Sequence, residues 1–491
     1  MIKKLSKTIF NKENLYLWLG FSLSSLFFSP LVSWLNYEMY YFHWNSTDTI
    51  ELICAWILLG LALSLGLYLV EKIENKTFKV LTLLLLNIIP FTAYFLYIFR
   101  VMQLDQELMS FVGFLLEYKL ISLIVFVFLL IYVLKKKEII MAIQYKLILI
   151  FSFLNIYIIF GFIGIILTST NTTASSSLID KKQNSDNYLH NIVFIVFDEL
   201  SYQYLYENGN IKEDYKNIKT FSDDSKNYHL AYAPSSGTLY SMPSYIAGEK
   251  LDQLKIVNNE IRIKDKNGKF EKNPFLQKNI FSHARELGYQ TALVGWYHNY
   301  CKFLTNVLDF CDAYSIYKFT SRNDGFSLFH PFATNLNILP SEKPSGFLKI
   351  PFSTHSHVNV VERSLSSSKY LIKNLNGALM FLHFPIPHKP FIFNGEEIVM
   401  KYDAFIENDE NYKNQLLLVD RVFGEILGNL KALKVYDNST IILTSDHNFR
   451  AMFKAEIAKQ VPLMIKQGKQ SSRIDVNREV QVLDELLRII N

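Results

Sequence analysis

The sequence predicts a bundle of about five transmembrane helices followed by an α/β domain with a largely parallel sheet. Three features carry that expectation. The first third of the 491 residues holds five apolar runs of near-spanning length, at about 15–35, 52–70, 80–99, 117–134 and 147–167, each close to the roughly 20 residues that a hydrocarbon core requires. The remainder holds apolar runs of strand length at 191–197, 378–384 and 440–445, each ending in polar residues. A long amphipathic stretch at 412–433, with Leu416, Val419, Val422, Phe423, Ile426 and Leu430 on one face, precedes the last of these strands. Strand, helix, strand alternation with strands buried on both faces is the pattern of a doubly wound sheet.

The composition sets the frame for this division. Half of the residues are apolar and 15% are aromatic, too much for a single soluble globule. The first run reads as a span rather than a cleaved leader, because no small-residue cleavage site follows it and further apolar spans do. Basic residues fix an orientation: Lys3, Lys4, Lys7 and Lys12 precede the first run, Lys72, Lys76 and Lys79 separate the second and third, and Lys135 to Lys137 follow the fourth. The segment 36–50 has no Lys or Arg. This places the N-terminus inside and, after five spans, the C-terminal portion outside. We therefore divide the chain into a helical membrane domain (1–168), a polar linker rich in Ser, Thr, Asn and Lys (169–189) and an extracytoplasmic domain (190–491). The net charge of +5 owes much to the basic flanks of the spans, so no nucleic-acid partner is indicated, and the chain is expected to be a monomer. Cys54 falls in a span, whereas Cys301 and Cys311 fall in the external domain and could close a short loop in an oxidising compartment. The sequence leaves that pairing open.

Candidate chemistry sits at the ends of the predicted strands. Asp198 and Glu199 close the first, Asp446 and His447 the third, and His383 and His388 flank the end of the second. A buried pair of carboxylates repels itself unless a cation or donors neutralise it. Each pair taken alone has a plainer explanation, as a helix cap or a polar loop. Between them lies Ser236-Gly237-Thr238-Leu239-Tyr240-Ser241-Met242-Pro243, a turn at which glycine allows close approach, Ser241 can cap a helix and Pro243 suits its first turn. Thr238 would then lie beside helix N–H groups that attract an anion. A threonine hydroxyl attacks at neutral pH only with a base or a metal ion to favour its alkoxide. Asp198, Glu199, Asp446 and His447 supply ligands for such an ion together with Thr238. Mixed carboxylate and imidazole donors suit Zn²⁺ or Mn²⁺, with Ca²⁺ or Mg²⁺ as lesser alternatives. His388, held between prolines, is a candidate to protonate a leaving group or place an acceptor. His383, His298 and Ser241 are candidate substrate contacts.

In their order and spacing, 191–199, 238–248, 383–390 and Ser445-Asp446-His447 resemble the alkaline phosphatase and sulfatase superfamily. Five spans followed by an external catalytic domain are similar to its bacterial phosphoethanolamine transferases and lipoteichoic acid synthases. The resemblance covers the whole chain. It implies a Thr238 nucleophile that becomes phosphorylated and a His388 near the transferred group. It further implies a lipid donor carrying phosphoethanolamine or glycerophosphate, an acceptor glycan or lipid of the envelope, and a location in the bacterial cytoplasmic membrane with the catalytic domain on its outer side. Two departures are visible. Sulfatases carry Cys-x-Pro-Ser-Arg at the nucleophile turn, whereas here Thr238 holds the Cys position and Met242 the Arg position, which argues against a formylglycine enzyme. The transferases continue Ser-Asp-His-Gly-Glu with a later histidine, whereas here Asn448 and Phe449 follow and no histidine comes after His447. The competing functions are a hydrolase of the same fold, acting on phosphate or sulfate esters, and a non-catalytic binding protein of the envelope.

Overall fold

The computed structural model describes residues 12–36, 46–101, 131–132, 135–168, 189–257, 260–264, 270–271, 278–298, 300–304, 306–314, 328–329, 331–332, 335, 352–399, 407–450 and 459–491. The chain forms two compact units. One takes Met1–Tyr37, Trp44–Asn171 and Arg322–Phe352; the other takes Glu38–His43, Thr172–Ser321 and Ser353–Asn491.

The first unit is helical. Its helices are α1 (Lys12–Leu35), α2 (Ser46–Glu71), α3 (Lys76–Val101), α4 (Lys137–Ile150) and α5 (Leu154–Thr168). A short 3₁₀ turn, Phe151–Phe153, joins α4 to α5. Among the described residues four runs are long and apolar enough to cross a membrane, the last being the combined Lys137–Leu167. The expected span at 117–134 lies, but for a few residues, outside the described part. Helix α1 is the hub, with Leu23, Leu26, Phe28 and Leu31 fully buried. Small residues permit its close approach to α2: a Cβ added at Gly20 would fall 2.1 Å from Ser64 Oγ. Polar side chains join the helices where apolar packing is not selective. The Ser25 hydroxyl donates to Asn155 Oδ1 at 2.8 Å, and Trp56 Nε1 donates to Ser25 Oγ at 3.0 Å.

Pro30 interrupts α1 near its C-terminal end. A proline inside a helix removes one hydrogen bond and displaces the neighbouring carbonyl. The amide of Asn335 fills the gap: its Nδ2 donates to Phe27 O at 2.8 Å, and its Oδ1 accepts from Leu31 N at 3.1 Å. Phe27 and Leu31 are the two residues that an i to i−4 bond would have joined. Phe332 packs its ring against Phe27 and Phe28, at centroid distances of 5.7 and 5.2 Å.

The second unit is built on an eight-stranded sheet of β1 (Ile192–Asp198), β2 (Lys226–Tyr232), β3 (Gln290–Trp296), β4 (Phe310–Tyr314), β5 (Ala378–Pro387), β6 (Thr440–Ser445), β7 (Gln460–Lys466) and β8 (Ile474–Gln481). The spatial order is β8-β2-β7-β6-β1-β5-β3-β4. From β6 to β4 every neighbour is parallel, while β7 runs antiparallel to both β6 and β2. The sheet is thus mostly parallel, as expected, with one reversed strand. Along β1, Val193, Ile195 and Phe197 enter one core while Ile192, Phe194 and Val196 enter the other, which explains why the strand reads as a continuous apolar run. Helix α8 (Asp409–Ala432) covers the first face through Leu416, Val419, Phe423 and Ile426. Helix α6 (Thr238–Ala247) covers the second through Met242, Tyr245 and Ile246. Helix α7 (Phe352–Asn374) leads into β5.

One local expectation fails. Helix α6 begins at Thr238, with Gly237 as its N-cap, and contains Pro243 in its interior rather than in its first turn. Gly237 is extended, at φ −162° and ψ 148°, and its carbonyl already accepts the amides of Tyr240 and Ser241. The helix therefore starts on the threonine itself. Ser241 caps nothing; its hydroxyl donates to Ser235 O and accepts from Ser235 N, both at 3.1 Å.

Candidate metal centre and nucleophile

Strand register assembles the centre. Phe197 pairs with Ser445 across β1 and β6, and Val196 pairs with His383 across β1 and β5. Asp198, Asp446 and His383 therefore come together at the C-terminal ends of three adjacent parallel strands, where open α/β sheets place their ligands. All three are fully buried. Ser445 ties the strand ends together, its hydroxyl donating to Phe197 O at 2.7 Å and accepting from Leu200 N at 2.8 Å.

Thr238, on the first turn of α6, enters this cluster. Its hydroxyl donates to Asp198 Oδ2 at 3.2 Å and lies 3.4 Å from His447 Nε2. His298 Nε2 donates to the Thr238 carbonyl at 3.2 Å, so this fully buried histidine holds the peptide of Thr238. His447 donates from Nδ1 to Asn448 O at 2.8 Å. That bond fixes the tautomer and turns the Nε2 lone pair toward the carboxylates, as in a metal-binding histidine; Nε2 stands 3.4 Å from Asp446 Oδ2 and 3.9 Å from Asp198 Oδ1. His383 Nε2 lies 3.6 Å from Asp198 Oδ2, with Tyr300 on its other ring nitrogen.

Glu199 adopts φ +66°, a left-handed conformation that a glutamate takes only when its surroundings impose it. Its amide donates to Asp446 Oδ1 at 3.0 Å and its carbonyl accepts the Tyr412 hydroxyl at 2.6 Å. Its carboxylate meets Arg450, Nε to Oε1 at 2.7 Å. Neither Asp198 nor Glu199 serves as a helix cap: the next short helix, Tyr202–Leu205, has Ser201 as its N-cap residue.

Burial raises the carboxyl of Glu199 to about 7, even with Arg450 beside it. Burial also raises Asp446. Asp198 behaves oppositely: burial opposes its charge, but the imidazoles of His383, His388 and His447 hold it below the usual carboxylate range. Burial disfavours a charged His447, yet Asp446, Glu199 and Asp198 together hold it above an ordinary histidine.

The donor set fits a divalent cation. Asp198, His383 and Asp446 present ligand atoms all within 4.8 Å of one another, and so do Asp198, Glu199 and His447. Asp198 Oδ1, Asp446 Oδ2 and His383 Nε2 are buried without a hydrogen-bond partner among the described residues, and leaving such atoms unpaired is costly unless a ligand takes them up. The five predicted metal-site residues thus converge, and His383, expected to contact substrate, adds a further donor.

His388 sits at the edge of this cluster. Its amide donates to Asp198 O at 3.2 Å and its Nδ1 donates to Lys389 O at 2.5 Å. Burial lowers it to about 3, so near neutral pH it is uncharged, with a bare Nε2. An uncharged ring with a bare Nε2 can accept a hydrogen bond and so place an acceptor hydroxyl, one of the two roles the sequence allowed.

A family model described as Sulfatase matches residues 190–473. The chain belongs to the sulfatase family. No curated protein matches it. Among solved structures the sulfatase domain is similar to Ps i-CgsB, determined with a neocarrahexaose, at 17% identity over 61% of this chain and 70% of that one, with a TM-score of 0.41. It is also similar to the phosphonate monoester hydrolase of Silicibacter pomeroyi, at 14% identity over 60% and 72%, TM-score 0.39. A third is the 2-O GAG sulfatase BT1596, at 12% identity over 62% and 70%, TM-score 0.40.

Sequence reasoning missed Arg450, which follows the Asp446-His447 pair by only a few residues, and His357, near the start of α7. It also passed over Trp296, at the end of β3. Cys301 and Cys311 form a disulfide.

Proposed function

We propose that the chain is a membrane-anchored, metal-dependent phospho-group transferase that acts outside the cytoplasmic membrane, with Thr238 as its nucleophile and a phospholipid head group as the transferred unit. The observation that carries this proposal is the position of the Thr238 hydroxyl, on the first turn of α6 and against both Asp198 and His447. Membrane anchoring is supported by the four apolar helices, and an oxidising compartment by the disulfide.

Asp198, Glu199, Asp446, His447 and His383 would hold the ion, together with Thr238. Bound there, a divalent cation would favour the threonine alkoxide and offset charge on the phosphoryl group. In the first half-reaction Thr238 Oγ1 bonds to phosphorus, the bond from phosphorus to the lipid's glycerol oxygen breaks, and the proton lost by the threonine hydroxyl ends on that glycerol oxygen. His298 keeps the Thr238 peptide in place, and the amides opening α6 face the phosphoryl oxygens. In the second half-reaction an acceptor hydroxyl replaces Thr238 at phosphorus, its proton ends on the released Thr238 oxygen, and Nε2 of the neutral His388 accepts a hydrogen bond that places the acceptor. The acceptor would be an envelope glycan or lipid. A hydrolase would share the first half-reaction and use water in the second.

The test is the intact mass of the full chain after incubation with total bacterial phospholipid and Zn²⁺ or Mn²⁺, beside a Thr238→Ala control. An adduct confined to the Thr238 protein, with the mass of phosphoethanolamine or glycerophosphate, supports the transferase and names its donor. Absence of any adduct, with metal bound and lipid unconsumed, overturns the lipid donor.

A further inference from the structure

At the edge of the ligand cluster, aromatic rings gather around Trp296. His388 lies 5.4 Å from it, His357 6.0 Å and His383 6.1 Å, measured between ring centroids. Trp296 is 4% exposed and His357 7%. Yet Trp296 Nε1 and His357 Nε2 have no hydrogen-bond partner among the described residues. An unpaired buried polar atom is costly, and the proposed mechanism uses neither one. Two in a single ring cluster call for a polar ligand group.

We propose that Trp296 and His357, beside His388, form a subsite that binds a hydroxyl group on an uncharged part of the substrate, of the glycerol or sugar kind. The subsite rests on the Thr238 mechanism and deepens it by specifying what lies next to the transferred phosphoryl group. The chemistry is one of complement. The indole N–H can only donate. The His357 Nε2 is an acceptor in the neutral tautomer that carries its proton on Nδ1. One donor and one acceptor on rings whose centroids are 6.0 Å apart match a hydroxyl, which can serve both at once. An ammonium group has no acceptor for the indole, and among the described residues no carboxylate belongs to this ring contact. A second phosphate has no proton for His357 when ionised. The site adjoins Thr238 through His388, whose ring lies 5.4 Å from Trp296 and whose amide donates to Asp198 O at 3.2 Å, while Asp198 Oδ2 accepts the Thr238 hydroxyl.

The experiment measures binding of three soluble probes to the full-length, detergent-solubilised, Mn²⁺-loaded protein by calorimetry: glycerol phosphate, phosphoethanolamine and ethyl phosphate, which lacks hydroxyls. Glycerol phosphate should bind at least about tenfold tighter than the other two, since one satisfied buried hydrogen bond is worth roughly a decade in affinity. Trp296→Phe and His357→Phe should each remove that preference and leave ethyl phosphate binding unchanged. His357→Gln, which keeps an acceptor near the Nε2 position, should restore part of it. Equal binding of ethyl and glycerol phosphates by the unaltered protein, or a preference for phosphoethanolamine, overturns the subsite even if a variant misfolds. The Thr238 adduct assay separates the two ideas: an adduct without hydroxyl preference sinks the subsite alone, and hydroxyl preference without any adduct sinks the transferase alone.

Discussion

Replacing Glu199 by Gln tests the charge balance of the centre directly. The carboxyl is buried and raised from 4.5 to about 7, a displacement worth about 3 kcal/mol at about 1.4 kcal/mol per unit. A raised carboxyl favours the folded state while it stays protonated. In the metal-free protein its contribution is therefore fully present below pH 4.5, falls as the unfolded chain ionises, and is lost once the pH passes about 7. Glutamine keeps the shape and cannot ionise. Without metal, Glu199→Gln should match the parent near pH 4 and exceed its unfolding free energy by about 3 kcal/mol at pH 8. Arg450 is left without its partner, but its side chain is 39% exposed and can hydrate. With Zn²⁺ or Mn²⁺ present the order should reverse, because the parent recovers the ionisation cost through the metal and the variant has lost a ligand. The assay is denaturant unfolding from pH 4 to 8 with chelator and with metal. Parallel pH profiles for parent and variant in chelator would refute a raised Glu199. Equal metal-induced stabilisation would refute its role as a ligand.

Two further outcomes follow from the same structure. Asn335→Ala removes both hydrogen bonds that bridge the break at Pro30, so thermal unfolding in detergent should fall by the equivalent of about 1–3 kcal/mol; the effect should shrink in a Pro30→Ala background, where Leu31 can pair with Phe27 again, and an undiminished effect would show that Asn335 acts elsewhere. Cys301→Ser opens a bridge between positions ten apart and should destabilise the catalytic unit by about 2–3 kcal/mol in oxidising buffer but not in reductant, as read by denaturant unfolding; equal loss in both buffers would mean that packing, not the bridge, is affected.

The sequence disclosed what depends on local pattern. Asp198, Asp446 and His383 were visible because each ends or interrupts an apolar strand, where a polar group needs a reason to be. Thr238 was visible through Gly237. The helix start was misplaced because Pro243 is a strong first-turn signal, while the carbonyl of Gly237 had already begun the helix. Strand β7 was hidden by Pro462, which argues against a strand inside a sheet; the structure accommodates it with a register shift between Val461 and Leu463, and its carbonyl accepts the Thr444 hydroxyl at 2.8 Å. Asn335 could not be read at all, since its partners Phe27 and Leu31 lie more than 300 positions away. Arg450 and His357 belong to the same class: ordinary residue types whose role depends on tertiary contact.

Arg450 also bears on why the centre suits two kinds of charge at once. Three carboxylates share one buried cluster with histidines, and among the described residues Arg450 is the permanent cation that reaches it. Its single charge leaves Glu199 raised to about 7, so it does not replace a divalent ion in relieving the acids. A bound dication would compete with Arg450 for Glu199. A guanidinium released from that carboxylate, more than a third exposed, would then be free to meet the phosphoryl group of the substrate proposed above. On that reasoning the ion pair between Arg450 and Glu199 would be given up when metal binds. Metal binding and recruitment of an anionic substrate would be coupled through one arginine.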